Sequence, residues 1–393
     1  MCGIIGYVGP RPVAEVILTG LRHLEYRGYD SAGIVALNGS GIPIIERAVR
    51  DQHISGIDRI AEQLGDRARH AGTALGHTRW ATHGAPSVEN AHPHTDCHRR
   101  FFVVHNGEVT NDTELGQRIR AAQHTLRSET DTELIAHEIE RCAARRGASE
   151  FEDAVRDALA HIDGAFAIAV VSTYAPDRII CARRGSPLLV GIGAGECVVA
   201  SDEAAIVTVT KRIIDLKDGD VVTVTADGIH GNVRRIREST WDVTEAQKSG
   251  FAHFTRKEIA EQADTIRRAL NHGGRLILES GTAKLGGLER VDDNFVDIDY
   301  VRLVGSGTAY HAALIGRQML LEVAGIPNVE ADCASEVHAT SFHRNHRSAV
   351  IAISQSGETQ DTVDAIREAN RKGAWTIGVV NKVATVIPRE THC

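Results

Sequence analysis

Short apolar runs bounded by turn residues dominate the first 230 positions. They predict strands over residues 2–8, 73–77, 101–105, 165–172, 178–183, 197–201 and 221–224, several at hairpin spacing. Two stretches switch to helical spacing. Val13, Val16, Ile17, Leu21 and Leu24 recur at threes and fours and predict a helix, with Gly28 as its stop. Leu134, Ile135, Ile139 and Cys142 predict a second helix over 131–146, basic at its end and stopped at Gly147. Runs of strands with helices before and between them predict stacked antiparallel sheets flanked by helices. From 234 to 254 the pattern dissolves into polar residues, which places a domain boundary there and gives domains 1–240 and 241–393. Beyond it, a helix over 257–271 leads into strands at 300–304, 329–331, 349–353 and 376–380, alternating with helices at 309–323 and 359–372. That βαβα order predicts a parallel, doubly wound sheet.

With 393 residues, 42% of them hydrophobic and 24% charged, the chain is long enough for two domains with real cores. A net charge of -8 without long single-sign runs leaves no footprint for nucleic acid or an anionic membrane. Small molecules are the expected partners. The 7 cysteines are scattered, with no C-x-x-C spacing, which argues against a disulfide framework or a zinc ribbon and fits a reducing cytoplasm. Neither a leader nor an apolar run near the ~20 residues of a membrane span is readable.

The chemistry begins at position two. If Met1 is removed, Cys2 carries a thiol and an α-amino group on one carbon, with unperturbed pKa values of about 8.5 and about 8. Nucleophile and base then come from one residue. Three further segments suit attack on an amide. His105-Asn106-Gly107 offers a side-chain amide and a glycine N–H to an oxyanion, or a plain hairpin turn. His77 to Gly84 sets Arg79 among hydroxyls and Trp80, as carboxylate capture or as a surface stacking pair. Asp131 opens a helix, as an ammonium ligand or a first-turn complement to the dipole. Together they can hold an amino acid by both its charges while a thiolate attacks its side-chain amide. Glutamine is the expected substrate.

Cys2-Gly-Ile-Ile-Gly, Arg27-Gly-Tyr-Asp-Ser-Ala-Gly, Gly76-His-Thr-Arg-Trp-Ala-Thr-His-Gly, Asn90-Ala-His-Pro-His, His105-Asn-Gly and Glu129-Thr-Asp-Thr-Glu stand in one order. They resemble the glutaminase domain of the class II, N-terminal-nucleophile amidotransferases, and within them the glucosamine-6-phosphate synthases. The resemblance implies an α+β, αββα sandwich with Cys2 as nucleophile and Asn106 and Gly107 as oxyanion hole. It also implies a glutamine site of Arg79, Trp80, Thr82, His83, Asp131 and Arg27. Within that set Trp80 resembles the family's gate to an ammonia channel, and Arg27 an arginine that supports the nucleophile region. Glu108-Val109-Thr110-Asn111 departs from the family's usual apolar pair followed by Glu-Asn.

In the second half, Ser354-Gln-Ser-Gly-Glu-Thr359 lies between an apolar strand and a helix, as a phosphate-binding helix N-terminus or an ordinary cap. Gly305-Ser-Gly-Thr-Ala309 lacks the third glycine of a dinucleotide fingerprint. Both segments resemble the sugar-isomerase (SIS) fold of the same family. The resemblance implies that Thr308, Ser354, Gln355, Ser356 and Thr359 bind the phosphate of fructose 6-phosphate, with Ala309 where the family often has serine. No cofactor is implied. A metal at His92-Pro-His-Thr-Asp-Cys-His98 is not expected, because Pro93 and a loop-like composition spoil ligand spacing and the family motif explains His92 and His94.

The family continues past the point where this sequence stops, completing the subdomain and adding a second. The expectation is therefore an incomplete SIS domain: a fragment, a pseudogene product or half of a split enzyme. Its partner would be a second copy in a homodimer or a chain supplying the isomerase half.

Overall fold

The computed structural model describes residues 2–81, 84–146, 150–231, 235–239, 251, 254–272, 274–285, 287–288, 298–338, 341–342, 347–381 and 385–393. Two compact units emerge, Met1–Lys257 and Glu258–Cys393. The boundary expected at residue 240 falls outside the described residues.

The first unit runs β1 (Gly3–Val8), α1 (Val13–Leu24), β2 (Ser31–Asn38), β3 (Pro43–Val49), α2 (Gly56–Leu64), β4 (Ala71–Arg79), β5 (His94–Thr95), β6 (Phe101–Val109), α3 (Asp112–Ala121), α4 (Asp131–Arg146) and α5 (Phe151–Leu159). It continues through β7 (Gly164–Ser172), β8 (Ala175–Arg184), β9 (Leu189–Ile192), β10 (Cys197–Ala200), α6 (Glu203–Ile206), β11 (Arg212–Asp215), β12 (Val221–Thr225), β13 (Gly228–His230) and β14 (Arg237–Glu238). An eight-stranded sheet in the order β14-β11-β9-β10-β1-β4-β2-β3 stacks on a six-stranded one, β13-β12-β8-β7-β6-β5, and every pairing in both is antiparallel.

Period-two alternation in β1 produces the layering. Ile5 and Tyr7 face the core under α1 and α2, whereas Ile4 and Val8 face the core between the sheets, with Leu75, Phe102, Val104 and Val199. A third core joins α4 and α5 to the six-stranded sheet through Ile135, Ile139, Phe151 and Ile168. Each fully buried Ile or Leu in these layers contributes about 1.5–3 kcal/mol relative to exposure. The result is an αββα sandwich.

Strand β2 escaped the sequence reading because it is buried on both faces. Ala32, Ile34 and Ala36 enter one core and Val35 and Leu37 the other, so SAGIVALN shows no polar alternation. Helix α1 stops at Leu24, before Gly28, and a 3-10 turn, Glu25–Arg27, fills the gap. Gly28 is needed for close approach: a Cβ there would lie 2.7 Å from both the Arg79 carbonyl carbon and the Trp80 nitrogen.

The second unit opens with α7 (Phe254–Arg267), which begins just before the boundary, and a small hairpin, β15 (Leu276–Ile277) and β16 (Thr282–Ala283). Then come β17 (Tyr300–Gly305), α8 (Thr308–Glu322), β18 (Asn328–Cys333), β19 (Ser348–Ser354), α9 (Gln360–Arg371), β20 (Trp375–Val380) and α10 (Ile387–Glu390). The sheet is parallel throughout, in the order β18-β17-β19-β20. Leu303 and Ala349 pack on the α8 side with Ala313, while Val304 and Val350 pack on the α9 side with Ile366. Strand order reverses between β17 and β19, and the crevice beyond their carboxyl ends is where open α/β sheets take ligands.

Candidate active site

Cys2 immediately precedes β1, and the β1–β4 register sets Gly3 opposite Thr78, so the 79–80 peptide lies beside it. The Trp80 N–H donates to Cys2 Sγ at 3.4 Å, and the thiol faces the Trp80 carbonyl oxygen at 3.7 Å. Thus the backbone of Trp80 holds the sulfur, while its indole is 42% exposed and meets Tyr29 edge to face at 5.4 Å. Burial pushes the Cys2 thiol pKa up, against the Trp80 N–H bond and the charges of Arg79 and Arg27.

Arg27 is itself buried. Its Nε donates to the Cys2 carbonyl at 3.2 Å and its Nη1 pairs with Asp202 at 2.8 Å, where Tyr26 also donates at 2.6 Å. It braces the backbone of Cys2.

The Asn106 Nδ2 group donates to the Cys2 carbonyl at 3.0 Å. What aims it there is His77, whose Nε2 lies 3.0 Å from Asn106 Oδ1 and 3.1 Å from the His105 carbonyl. Both partners accept only, so Nε2 carries the proton and the amide orientation is fixed. Burial pushes the His77 pKa down to about 3, which keeps the ring neutral. Sequence reading quoted His77 inside a motif without giving it a task; its place on β4, two residues before Arg79, was the available signal.

Asn106-Gly107 is not a hairpin turn, because β6 continues through it to Val109 and pairs Gly107 with Phe166. Gly107 has φ +140°, and a Cβ there would lie 2.0 Å from the Ala165 carbonyl oxygen. Only glycine fits. Asp131, at the start of α4, accepts the Val109 N–H at 2.9 Å and so anchors the end of this strand.

Arg79 is buried at the end of β4, and its guanidinium donates to the Gly84 and Ala85 carbonyls at 3.3 and 3.5 Å. Burial lowers its pKa, opposed by Cys2, Asp30, Asp131 and Glu129. Asn90 holds the same loop, donating to the Ala85 carbonyl at 3.0 Å and to Glu129 at 3.1 Å, and accepting the Glu129 N–H at 2.9 Å. Cys2, Arg27, Arg79, Trp80 and Asn106 therefore converge, with Gly107 next on β6 and Asp131 at the start of α4 bonded to that strand's end. Thr82 and His83 lie outside the described residues.

In the second unit, three hydroxyls gather after β19. Ser354 Oγ is 3.5 Å from Ser356 Oγ and 3.3 Å from Thr359 Oγ1, and Ser354 and Ser356 accept the N–H groups of Gly357 and Glu358 at 3.0 and 3.2 Å. Thr359 occupies the N-cap of α9 but its side chain makes no capping bond. The ordinary cap reading fails on that point, and the hydroxyls form a cluster at a helix N-terminus instead. Gly357, at φ +69°, permits the turn; a Cβ would meet Thr385 Oγ1 at 2.0 Å. Gln355 is exposed at the loop tip, and Thr308 is exposed as the first residue of α8, beyond the end of neighbouring β17. Ser306 Oγ, two residues earlier, is buried without a hydrogen-bond partner and was missed in the sequence.

Comparison with known proteins follows the same division. A glutamine amidotransferase domain family matches residues 77–208, and a SIS domain family matches residues 296–393. The glutamine--fructose-6-phosphate aminotransferase [isomerizing] of Chlorobaculum tepidum is 41% identical over 400 residues, covering 100% of this chain and 64% of the relative. Its namesake in Thermus thermophilus is 42% identical over 399 residues, covering 100% and 63%. The chain thus spans a little under two thirds of the length of these relatives. Among solved structures, a glutamine phosphoribosylpyrophosphate amidotransferase from B. subtilis, complexed with ADP and GMP, superposes with a TM-score of 0.51 at 18% identity over 97% of this chain and 91% of that one. At that identity the likeness is one of fold. With both domains in order and full-length similarity above 40%, the chain belongs to the family of glutamine amidotransferases joined to a SIS domain that includes the glutamine--fructose-6-phosphate aminotransferases.

Proposed function

We propose that the chain takes the amide nitrogen of glutamine and, with an isomerase half, delivers it to fructose 6-phosphate to give glucosamine 6-phosphate and glutamate. The observation that carries the first half is the placement of Cys2 Sγ against the Trp80 peptide with the Asn106 amide turned toward the same residue.

A thiol kept protonated by burial needs a base. Removal of Met1 supplies it as the α-amino group of Cys2, which takes the thiol proton directly or through a water. The thiolate attacks the glutamine side-chain carbonyl, and the tetrahedral oxyanion is received by Asn106 Nδ2 and the Gly107 N–H. Proton return from the amine releases ammonia and leaves a γ-glutamyl thioester, which water hydrolyses to glutamate. Arg79 is assigned to the substrate carboxylate; Thr82 and His83 complete that site by resemblance. Asp131 serves the ammonium group or, through Val109, the oxyanion strand.

Ser354, Ser356 and Thr359, with Gln355 and Thr308, are assigned to the sugar phosphate at the α9 N-terminus, where hydroxyls and N–H groups meet a dianion. Exposed Leu314, Ile315 and Met319 on α8, with Val323 just after it, support a reading in which this unit works against a second one, a copy of itself or an isomerase half. No helix among the described residues is long and apolar enough to cross a membrane.

The test is incubation of the chain with amide-¹⁵N glutamine and fructose 6-phosphate. Label in glucosamine 6-phosphate supports the whole proposal. Label only in ammonia favours a glutaminase that supplies a partner, a reading helped by the confinement of all the glutaminase residues to the first unit. No release of label overturns both.

A further inference from the structure

Away from Cys2, three segments of the first unit bring four ligand-type side chains to one point. Cys97 follows β5, His124 follows α3, and His137 and Glu140 lie one turn apart on α4. Cys97 Sγ is 3.6 Å from His124 Nδ1 and 3.6 Å from His137 Nδ1. Glu140 Oε2 is 2.9 Å from His124 Nδ1 and 3.6 Å from His137 Nδ1. All four ligand atoms lie within 4.8 Å of one another.

We propose that Cys97, His124, His137 and Glu140 bind one zinc-type divalent cation as a structural site. Bond lengths of about 2.3 Å to sulfur and about 2.0–2.1 Å to nitrogen and oxygen, at tetrahedral angles, separate S from N by about 3.6 Å and N from O by about 3.3 Å. Both sulfur separations match, and the two nitrogen–oxygen separations bracket the expected one. With four protein ligands and side-chain exposures of 1% for His137, 5% for Glu140 and 14% for His124, the site is closed to substrate. A lattice of ion pairs would account for both imidazoles facing Glu140. It gives no reason for a thiol equidistant from two imidazole Nδ1 atoms.

The surroundings bear on two of the ligands, His137 and Glu140. Glu133 Oε1 lies 3.6 Å from His137 Nε2, behind the imidazole, and is itself fixed by the Arg127 N–H at 2.8 Å. Such a carboxylate behind a ligating histidine sets which ring nitrogen faces the metal. Glu140 Oε1 takes Arg100 Nη2 at 3.0 Å and His98 Nδ1, while Oε2, which also accepts the Cys97 backbone N–H at 3.2 Å, faces the cluster. A cavity of about 400 Å3 lined by Arg47, His94, Cys97, Arg127, Glu133 and His137 gives a cation access.

Spacing explains why the sequence hid the site. Its members are 27, 13 and 3 residues apart along the chain. The neighbouring His92 and His94 turn elsewhere: the His105 N–H approaches His92 Nδ1 at 3.4 Å, and His94 Nε2 meets Thr130 Oγ1 at 2.9 Å. Binding displaces the Cys97 thiol proton and any proton on the two imidazoles, so one thiolate and one carboxylate neutralise the dication.

The experiment is titration of the chelator-treated full chain with Co(II), used as the visible reporter for zinc. Expected are one cobalt per chain, tetrahedral visible bands and a thiolate-to-cobalt charge-transfer band. Cys97→Ser should abolish the charge-transfer band, and His124→Gln should weaken binding at least about tenfold. Absence of stoichiometric binding, or a charge-transfer band that persists in Cys97→Ser, overturns the proposal. Should Cys97→Ser not fold, the wild-type chain decides by alkylation and peptide mass. Zinc should protect Cys97 but leave the half-exposed Cys333 reactive, and equal Cys97 labelling with zinc and with chelator overturns the proposal.

Discussion

At the scale of single residues, the site depends on groups that hold other groups still. His77 spends its only N–H on Asn106 Oδ1 and the His105 carbonyl, so His77→Leu should free the amide to rotate. The expected result is a fall of roughly 10- to 100-fold in glutaminase kcat with the KM for glutamine little changed, since the loss falls on the oxyanion rather than on binding. A rise in KM alone would contradict the assignment. The same variant tests acid stability. Folded His77 titrates near 3 and an unfolded histidine near 6.5, so as pH falls below about 6.5 the unfolded chain takes the proton first. Stability present at neutral pH is then lost, by about 2 kcal/mol at pH 5 from this residue alone. Buried His92, His94 and His105, also shifted down by desolvation, act in the same direction. Urea unfolding at pH 7 and pH 5 should show the wild type losing more than His77→Leu, and equal losses would refute the account. Gly107→Ala forces a Cβ against the Ala165 carbonyl at positive φ, and should cost on the order of 2 kcal/mol of stability as well as activity, read by thermal unfolding and glutamine turnover.

At the scale of elements, legibility followed exposure. Helix α4 has the bounds its apolar spacing predicted, and the parallel strands of the second unit lie within two residues of theirs. Strand β2 and helices α2, α3 and α5 were not readable, the strand because both its faces are apolar. The structure brings described residues of the six motifs together around Cys2, but the motifs did not show how those residues hold one another. That β6 passes through Asn106-Gly107, or that α4 buries Glu133, His137, Glu138 and Glu140 beside its apolar stripe, depends on partners far along the chain. The β19–α9 loop follows the same logic: two of its hydroxyls are buried and face one another, with no capping bond to occupy Thr359. Ser354→Ala and Thr359→Val should each weaken fructose 6-phosphate binding about tenfold, the worth of one hydrogen bond to a charged group. Calorimetric titration checks this, and unchanged affinity in both would remove the loop from the sugar site.

At the scale of the whole molecule, the cores divide as the chain does, with three apolar clusters in the first unit and two in the second. Unfolding should therefore proceed in two steps. Fructose 6-phosphate at 100 times its dissociation constant should raise the step reported by Trp375 by about 2.7 kcal/mol and leave the other unmoved. Equal displacement of both steps would argue against the assignment of the ligand to the second unit. The position of β1 bears on how such a chain matures. Strand β1 is central in its sheet, between β4, which ends at Arg79, and β10, which ends at Ala200. At roughly 5–20 residues per second, about 6–24 s of synthesis separate the end of β4 from the end of β10. Throughout that interval β1 can pair with β4 alone, and the edge that β10 later covers stays open. The topology thus delays completion of the sheet that carries Cys2 until most of the first unit has been synthesised.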